Sequence, residues 1–287
     1  MLFYYFLVFT AIYILMGWSL YLPYRIGHLN FSSISIMAFS AYFTGVALRE
    51  WGWPFFLTVI ISMMSGLILS YIVSKLVINV SGFTVVIIGL TSIFIIRTVI
   101  ENCHWLGGSI GFFNIPIVSN LAIWTYVILF ILGYILFLVE DSVISKKAFV
   151  LFSDKELGDC LGIHRHEIAQ FLHSFSGILA GLAGTLYAAL IGGINVDFFN
   201  FSMIGTLMAI LFVGGYTSMW GVVFAAPILG GIPIFLPDKL LVWKQIIFGG
   251  LLITILCIKP EGIITRKQAV KIKNWFKFIN KKIFDKI

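Results

Sequence analysis

At 287 residues, 60% of them hydrophobic and 11% charged, with a mean hydropathy of +1.05, the chain has more apolar surface than one water-soluble core can hide. Its formal charge of +7 comes from nineteen Lys and Arg against twelve Asp and Glu. Nine of the basic residues lie at or beyond Lys259, a local excess and not the diffuse basic field that nucleic acid requires. Composition excludes a soluble enzyme and a nucleic-acid binder, and predicts an all-α integral membrane protein built as a polytopic helical bundle.

A span needs about 20 apolar residues, and charges and breakers divide the chain into nine: Leu2–Leu22, Leu29–Leu48, Trp53–Val73, Leu76–Ile96, Leu121–Val139, Ile168–Gly192, Met203–Tyr216, Gly221–Leu236 and Leu240–Ile258. The first has no basic run before it and no small-residue cleavage site after it, so it reads as a retained span. The seventh and eighth share one uncharged run, divided at Gly214-Gly215-Tyr216-Thr217-Ser218, where paired glycines and hydroxyls suit a tight turn. With the N-terminus outside, the inner side receives Arg25, Lys75, Lys146, Lys147, Lys155, Arg165 and the nine basic residues of the tail. The outer side receives only Arg49, Arg97, Lys239 and Lys244. The positive-inside bias therefore predicts N-out and C-in.

The second span carries Ser32, Ser33, Ser35 and Ser40, whose hydroxyls either bond back to the helix or face a polar path. Between Arg97 and Asn120 an outer loop contains Gly107-Gly108-Ser109-Ile110-Gly111, but no Lys-Ser/Thr follows, so no nucleotide cradle is expected. Arg97 and Glu101 are spaced to pair on a helix end. The one sizeable inner loop of mixed charge, about 140–167, holds Cys160, His164 and His166; without a fourth ligand at useful spacing no metal site is expected. His173 lies on the helix that follows and has no carboxylate partner in the span, which favours a packed histidine over a proton relay. Asp197, on the short outer connection, is expected to cap the next helix. Cys103, Cys160 and Cys257 fall at different depths, so no disulfide is expected.

In the long uncharged sixth span, Ser174, Gly177, Gly181, Gly184 and Ala188 recur every three or four residues. Such a strip lets another helix approach backbone to backbone. Gly214, Gly215 and Gly221 offer the same in the later spans. Beyond 263 the tail 264–287 sets Ile272, Trp275, Phe276, Ile279 and Ile283 at helical spacing among lysines, the pattern of a basic amphipathic helix lying on an anionic inner leaflet.

Leu157 to Ile163, followed by Phe175-Ser176-Gly177-Ile178-Leu179-Ala180-Gly181-Leu182-Ala183-Gly184-Thr185, resembles the cytoplasmic coupling loop and following helix of the permeases of branched-chain amino acid ABC importers. Phe212 to Ala226 and Lys259-Pro260-Glu261-Gly262-Ile263 are similar to that family's later Gly-rich segment and its C-terminal Pro-x-Gly signature. The chain departs from the family pattern with His164 where Asn is usual, Leu106 for Thr, Thr217 for Gly and Val222 for Pro. The resemblance runs from about Leu29 to Ile263 and implies a type II ABC importer permease, with a transmembrane domain over 1–263. It further implies that Glu156, Leu157, Gly158, Leu161, Gly162 and Ile163 transmit the stroke of a cytoplasmic ATPase, and that Ser32, Ser33, Ser35 and Ser40 lie near the translocation route.

Spans nearly bare of ionisable groups argue against a coupled secondary carrier, and no Gly-x-x-x-x-Gly-Lys-Ser/Thr occurs. No cofactor is therefore expected on this chain, ATP and magnesium belonging to the partner ATPase. The expected partners are a second permease subunit, identical or homologous, ABC ATPase subunits, an extracytoplasmic solute-binding protein and the lipid of a bacterial inner membrane. Branched-chain or other amino acids, urea or short amides, or an ATP-independent carrier or channel remain open on sequence alone.

Overall fold

Ten α-helices account for most of the residues that the computed structural model describes, namely 2–118 and 120–231, with 243, 246, 249–250, 253–254, 257–258 and 262–263 beyond them. They are α1 (Leu2–Tyr24), α2 (Ser32–Arg49), α3 (Phe55–Val77), α4 (Gly82–Asn102), α5 (Leu121–Asp141), α6 (Val143–Ser153), α7 (Lys155–Cys160), α8 (Arg165–Ile191), α9 (Phe201–Gly214) and α10 (Met219–Ala226), the last running into a π-helical turn, Pro227–Gly231. Among the described residues there is no strand, only one antiparallel bridge between Phe112 and Ile194. Six helical stretches are long and apolar enough to cross a membrane: α1, α3, α4, α5, α8 and Val196–Gly214. The 18-residue α2 and the shorter run Met219–Gly231 stand beside them. The ninth expected span, most of the Pro-x-Gly segment and the tail lie outside the described residues.

Local chemistry sets the ends of these helices. The second span starts at Ser32, not Leu29, because Asn30 Oδ1 accepts hydrogen bonds from Ser32 N (3.1 Å) and Ser32 Oγ (2.7 Å), which holds the chain in a turn until then. Lys75 looked like a boundary between the third and fourth spans, but it sits in the last turn of α3, where a cation complements the helix dipole. The break falls later, at Ser81, whose hydroxyl accepts from Thr84 N. Capping of α9 falls to Asn200, which accepts from Ser202 N at 2.8 Å and Met203 N at 3.4 Å. Asp197 instead lies in a 3-10 turn and pairs with Arg97 at 2.9 Å, which corrects the expected cap.

The long helix α8, 27 residues and so about 40 Å, is the centre of the bundle. It packs most extensively against α3, then α2, then α1, and its middle is buried on every side. Helices α4 and α5 lie at the periphery and present long apolar faces outward, among them Phe94, Phe130 and Tyr134. The connections segregate to two ends. One end gathers the α1–α2 and α3–α4 turns, α6, α7 and the α9–α10 turn; Ile263 N reaches Val213 O there at 2.8 Å. The other gathers the α2–α3 turn, the loop after α4 and the α8–α9 connection, tied by Arg49 Nη1 to Phe113 O (2.9 Å) and by the Phe112–Ile194 bridge. This is the segregation that the alternating spans predict.

Candidate coupling helix and the polar layer beneath it

Helix α7 is short enough that its ends decide whether it exists. Asp154 caps it, Oδ1 accepting from Glu156 N (2.9 Å) and Leu157 N (3.2 Å). Its other end closes in a Schellman turn: Ile163 N donates to Gly158 O and Gly162 N to Asp159 O, both at 3.0 Å, with Gly162 at φ +67°. A Cβ at Gly162 would meet no neighbour, so the glycine serves the backbone conformation and not a close contact. Gly158 is different, for a Cβ there would strike Leu151 of α6 at 2.6 Å. The structure thus brings Glu156, Leu157, Gly158, Leu161, Gly162 and Ile163 onto one helix and its closing turn. Gly158 and Ile163 face inward, while Leu157 and Leu161, one turn apart, are 50% and 61% exposed. Arg165, at the start of α8, grips this helix through Nε to Asp159 Oδ1 (2.9 Å), a second bond from Nη2 to Asp159 Oδ2, and Nη2 to Lys155 O (3.3 Å). Two exposed leucines are therefore carried on a platform joined to the central helix.

The four serines of α2 are all buried. Ser33 Oγ lies 3.2 Å from Ser176 Oγ of α8, which in turn donates to Ser19 O of α1 at 2.7 Å. Ser32 holds Asn30, and Asn30 Nδ2 lies 3.1 Å from His173 Nδ1. Ser35 bonds back to Ser32 O (2.7 Å) and meets Ser92 of α4 at 3.1 Å. The Ser40 hydroxyl has no hydrogen-bond partner among the described residues. Together with His28, whose Nδ1 is 3.3 Å from His173 Nε2, these groups form a polar layer across α1, α2 and α8. His173 is fully buried and packed, as its lack of a carboxylate partner predicts.

The glycine strip of α8 packs as its spacing requires. A Cβ at Gly177 would collide with Gly66 O of α3, one at Gly181 with Ser62 O, and one at Gly184 with Met37 O of α2. Gly214 and Gly221 face each other across the α9–α10 turn in the same way, and Gly215 ends α9 at φ +112°. Sequence reasoning missed the complementary strip on α3: Thr58, Ser62, Gly66, Ser70 and Ser74, all at four-residue spacing, with every hydroxyl member fully buried. The period of four was the available signal. It also missed a second clamp at the α7 end, in which Tyr21 donates to Glu140 Oε1 (2.9 Å) while Arg25 reaches Tyr21 Oη (2.5 Å), Ser145 Oγ (2.6 Å) and Glu140 (3.7 Å). A lone Arg and Glu more than a hundred residues apart, each at the end of its own span, carry no spacing signal.

A central helix cleaved into its neighbours by glycine, surrounded by apolar helices and carrying an exposed short helix at one end, defines a polytopic helical membrane protein. The chain belongs to the family described as "Branched-chain amino acid transport system / permease component", whose profile matches residues 2–256. Permease components are transport subunits, not enzymes. The chain is similar to the high-affinity branched-chain amino acid transport system permease protein LivM of Escherichia coli K12, 32% identical over 116 residues, 40% of this chain and 27% of that protein. It is also similar to LivM of Salmonella typhimurium LT2, 30% identical over the same length and the same shares. The matched stretch thus spans about a quarter of these relatives. No solved structure matches.

Proposed function

We propose that the chain is the membrane-spanning permease subunit of an ATP-binding-cassette importer in a bacterial inner membrane, and that it moves a small polar solute inward, branched-chain amino acids first among the substrates. Membership of the permease family supports the class, and the two LivM relatives support the substrate. The observation that carries the mechanism is α7: two leucines exposed on a capped helix at the basic end of the chain, clamped by Arg165 to α8. An apolar knob of this kind suits a cleft on a cytoplasmic ATPase. We assign N-out and C-in from the basic residues, a transmembrane domain over 1–263, and the tail 264–287 to the inner-leaflet surface. ATP binding on the partner closes the ATPases, draws the α7 helices of two permease subunits together and switches the bundle between outward and inward states. Ser32, Ser33, Ser35 and Ser40 are assigned to helix contacts that bound the route between subunits.

The test is ATP-driven leucine uptake into vesicles holding this chain with its own ATPase and binding protein. Uptake that needs ATP, and is lost together with the ATPase when Leu157–Ile163 is scrambled, supports the reading. Leucine flux in ATP-free vesicles of this chain alone would refute it.

A further inference from the structure

At the end that carries α7, a cavity of about 600 Å³ opens between the α1–α2 turn, the α3–α4 turn and the start of α8. Its wall includes His28, Lys155, Asp159, His164, Arg165 and His166. Asp159 is taken up by Arg165, and Lys155 has no acidic partner among the described residues. The wall therefore holds one uncompensated positive charge. The first turn of α8 faces the same space; its N-cap His164 makes no side-chain bond to it, so its N–H groups are left without a cap, while Glu167 in that turn offsets part of the helix dipole.

The hydrogen-bond order beneath the cavity fixes what His28 presents to it. Ser32 N can only donate, so the Asn30 atom that accepts from it is Oδ1 and Asn30 Nδ2 is a donor. That amide faces His173 Nδ1, which must accept, so neutral His173 carries its proton on Nε2. His173 Nε2 then donates to His28 Nδ1, which leaves the proton of neutral His28 on its own Nε2. His173 is not part of the cavity wall; His28 is, so the edge of His28 turned away from His173 faces the cavity. His28 is 6% exposed, and its Nε2–H meets no acceptor among the described residues. That donor opens onto a cationic hollow.

We propose that this cavity binds a phosphate-type oxyanion, held by Lys155, the open first turn of α8 and the Nε2–H of His28. A tetrahedral oxyanion offers several acceptor oxygens to donors that converge from different elements, which one carboxylate does less well. The volume exceeds that of one phosphate, so the group can belong to an anionic phospholipid headgroup or to a free phosphate species. The proposal stands independently of the transport reading.

The experiment is histidine-selective NMR of the full chain in phosphatidylcholine nanodiscs in chloride buffer, with five histidines in all. Assignments come from His→Gln variants, and His104, at the opposite end, serves as the reference for nonspecific effects. Burial, reinforced by Lys155, pushes the His28 imidazole down to about 4 in the free protein. An anion within contact should raise that midpoint by about 1 unit or more. Millimolar inorganic phosphate is one arm and phosphatidylglycerol nanodiscs without phosphate the other. A rise in the first arm that is lost in Lys155→Gln supports a soluble ligand, and a rise in the second that is lost in Lys155→Gln supports a headgroup. Lys155 is exposed at the first turn of α7, so this variant folds. No rise in either arm, a rise that Lys155→Gln leaves intact, or one that appears only when the partner ATPase is added would overturn the proposal.

Discussion

Replacing Gly181 by Ala adds one carbon where the structure has no room for it. That carbon would overlap the Ser62 carbonyl oxygen and lie 3.2 Å from its carbon and 3.4 Å from Gly66 Cα. All three are helix backbone atoms, so no rotamer change relieves the contact and α3 must back away from α8. A gap of about 0.5–1 Å forfeits roughly a quarter to a half of each dispersion contact along the interface, and overpacking of this kind costs about 1–3 kcal/mol. The gain of about 1 kcal/mol from removing a mid-helix glycine offsets part of this. With backbone on both sides the upper half of the cost applies, leaving a net loss of about 1–2 kcal/mol. Gly205 of α9 supplies the control, because a Cβ there meets nothing within 4 Å. Thermal unfolding of the purified chain in detergent, followed by temperature-ramped size exclusion, should place Gly181→Ala below the wild type and Gly205→Ala at or above it. Equal midpoints for the two variants would refute the close-approach argument.

Leu157→Ser with Leu161→Ser should abolish co-purification of the ATPase while leaving the melting midpoint unchanged, since both side chains are half exposed or more; a lowered midpoint would mean that they pack within the chain. Glu140→Ala strands the partly buried Arg25 and should cost about 3–5 kcal/mol, whereas the pair Arg25→Met with Glu140→Leu should recover most of it; a double variant as unstable as the single one would contradict the clamp. The pH dependence follows from His28. Its folded midpoint of about 4 lies below the unfolded value of about 6.5, so the fold holds the neutral ring. Above about 6.5 neither state binds the proton and nothing is lost. As the pH falls from there toward about 4, the unfolded chain takes up a proton that the folded chain refuses, which removes at most about 1.4 kcal/mol per unit. The wild-type midpoint should therefore fall more steeply across that window than that of His28→Gln, and parallel slopes would exclude His28 as the cause.

The parts legible in the sequence were those written in a period or in a single dominant residue type. Apolar runs gave the bundle, and the three-and-four spacing of Gly177, Gly181 and Gly184 showed which helix the others must approach. Gly214 and Gly215 marked a real turn because paired glycines have few other uses. Boundaries failed where charge was read as an interface: Lys75 is tolerated inside α3 by the helix dipole, so the α3–α4 break moved to a capping serine. Asp197 failed as a cap because Asn200 stood closer to the helix start, which freed the carboxylate for Arg97. The polar layer was not legible at all. Ser19, Asn30, Ser70 and His173 come from four separate elements, and no local pattern says that Ser70 Oγ will meet His173 O or that Asn30 will orient His173.

The same central helix thus uses two kinds of contact at two depths, with a consequence for how motion at α7 would travel under the proposed coupling role. Toward the α7 end α8 is held by directed hydrogen bonds, through Ser176 to Ser19 and through His173 to Asn30 and Ser70. Further along it is held by backbone contact at Gly177, Gly181 and Gly184, which leaves no play between α8 and its neighbours α3 and α2. A close-packed interface transmits displacement and does not absorb it. The compliant link must then lie outside this unit, at the exposed grip of Arg165 on Asp159, whose side chains are 40% and 55% exposed. An exposed pair adds little to stability, yet it joins α7 to the first residue of α8. Asp159→Asn should therefore leave the melting midpoint and ATPase recovery near wild type while lowering solute uptake per ATP hydrolysed. If uptake and hydrolysis fall in proportion, the grip is not the link, and the displacement enters α8 by the buried contact of Gly158 with Leu151 instead.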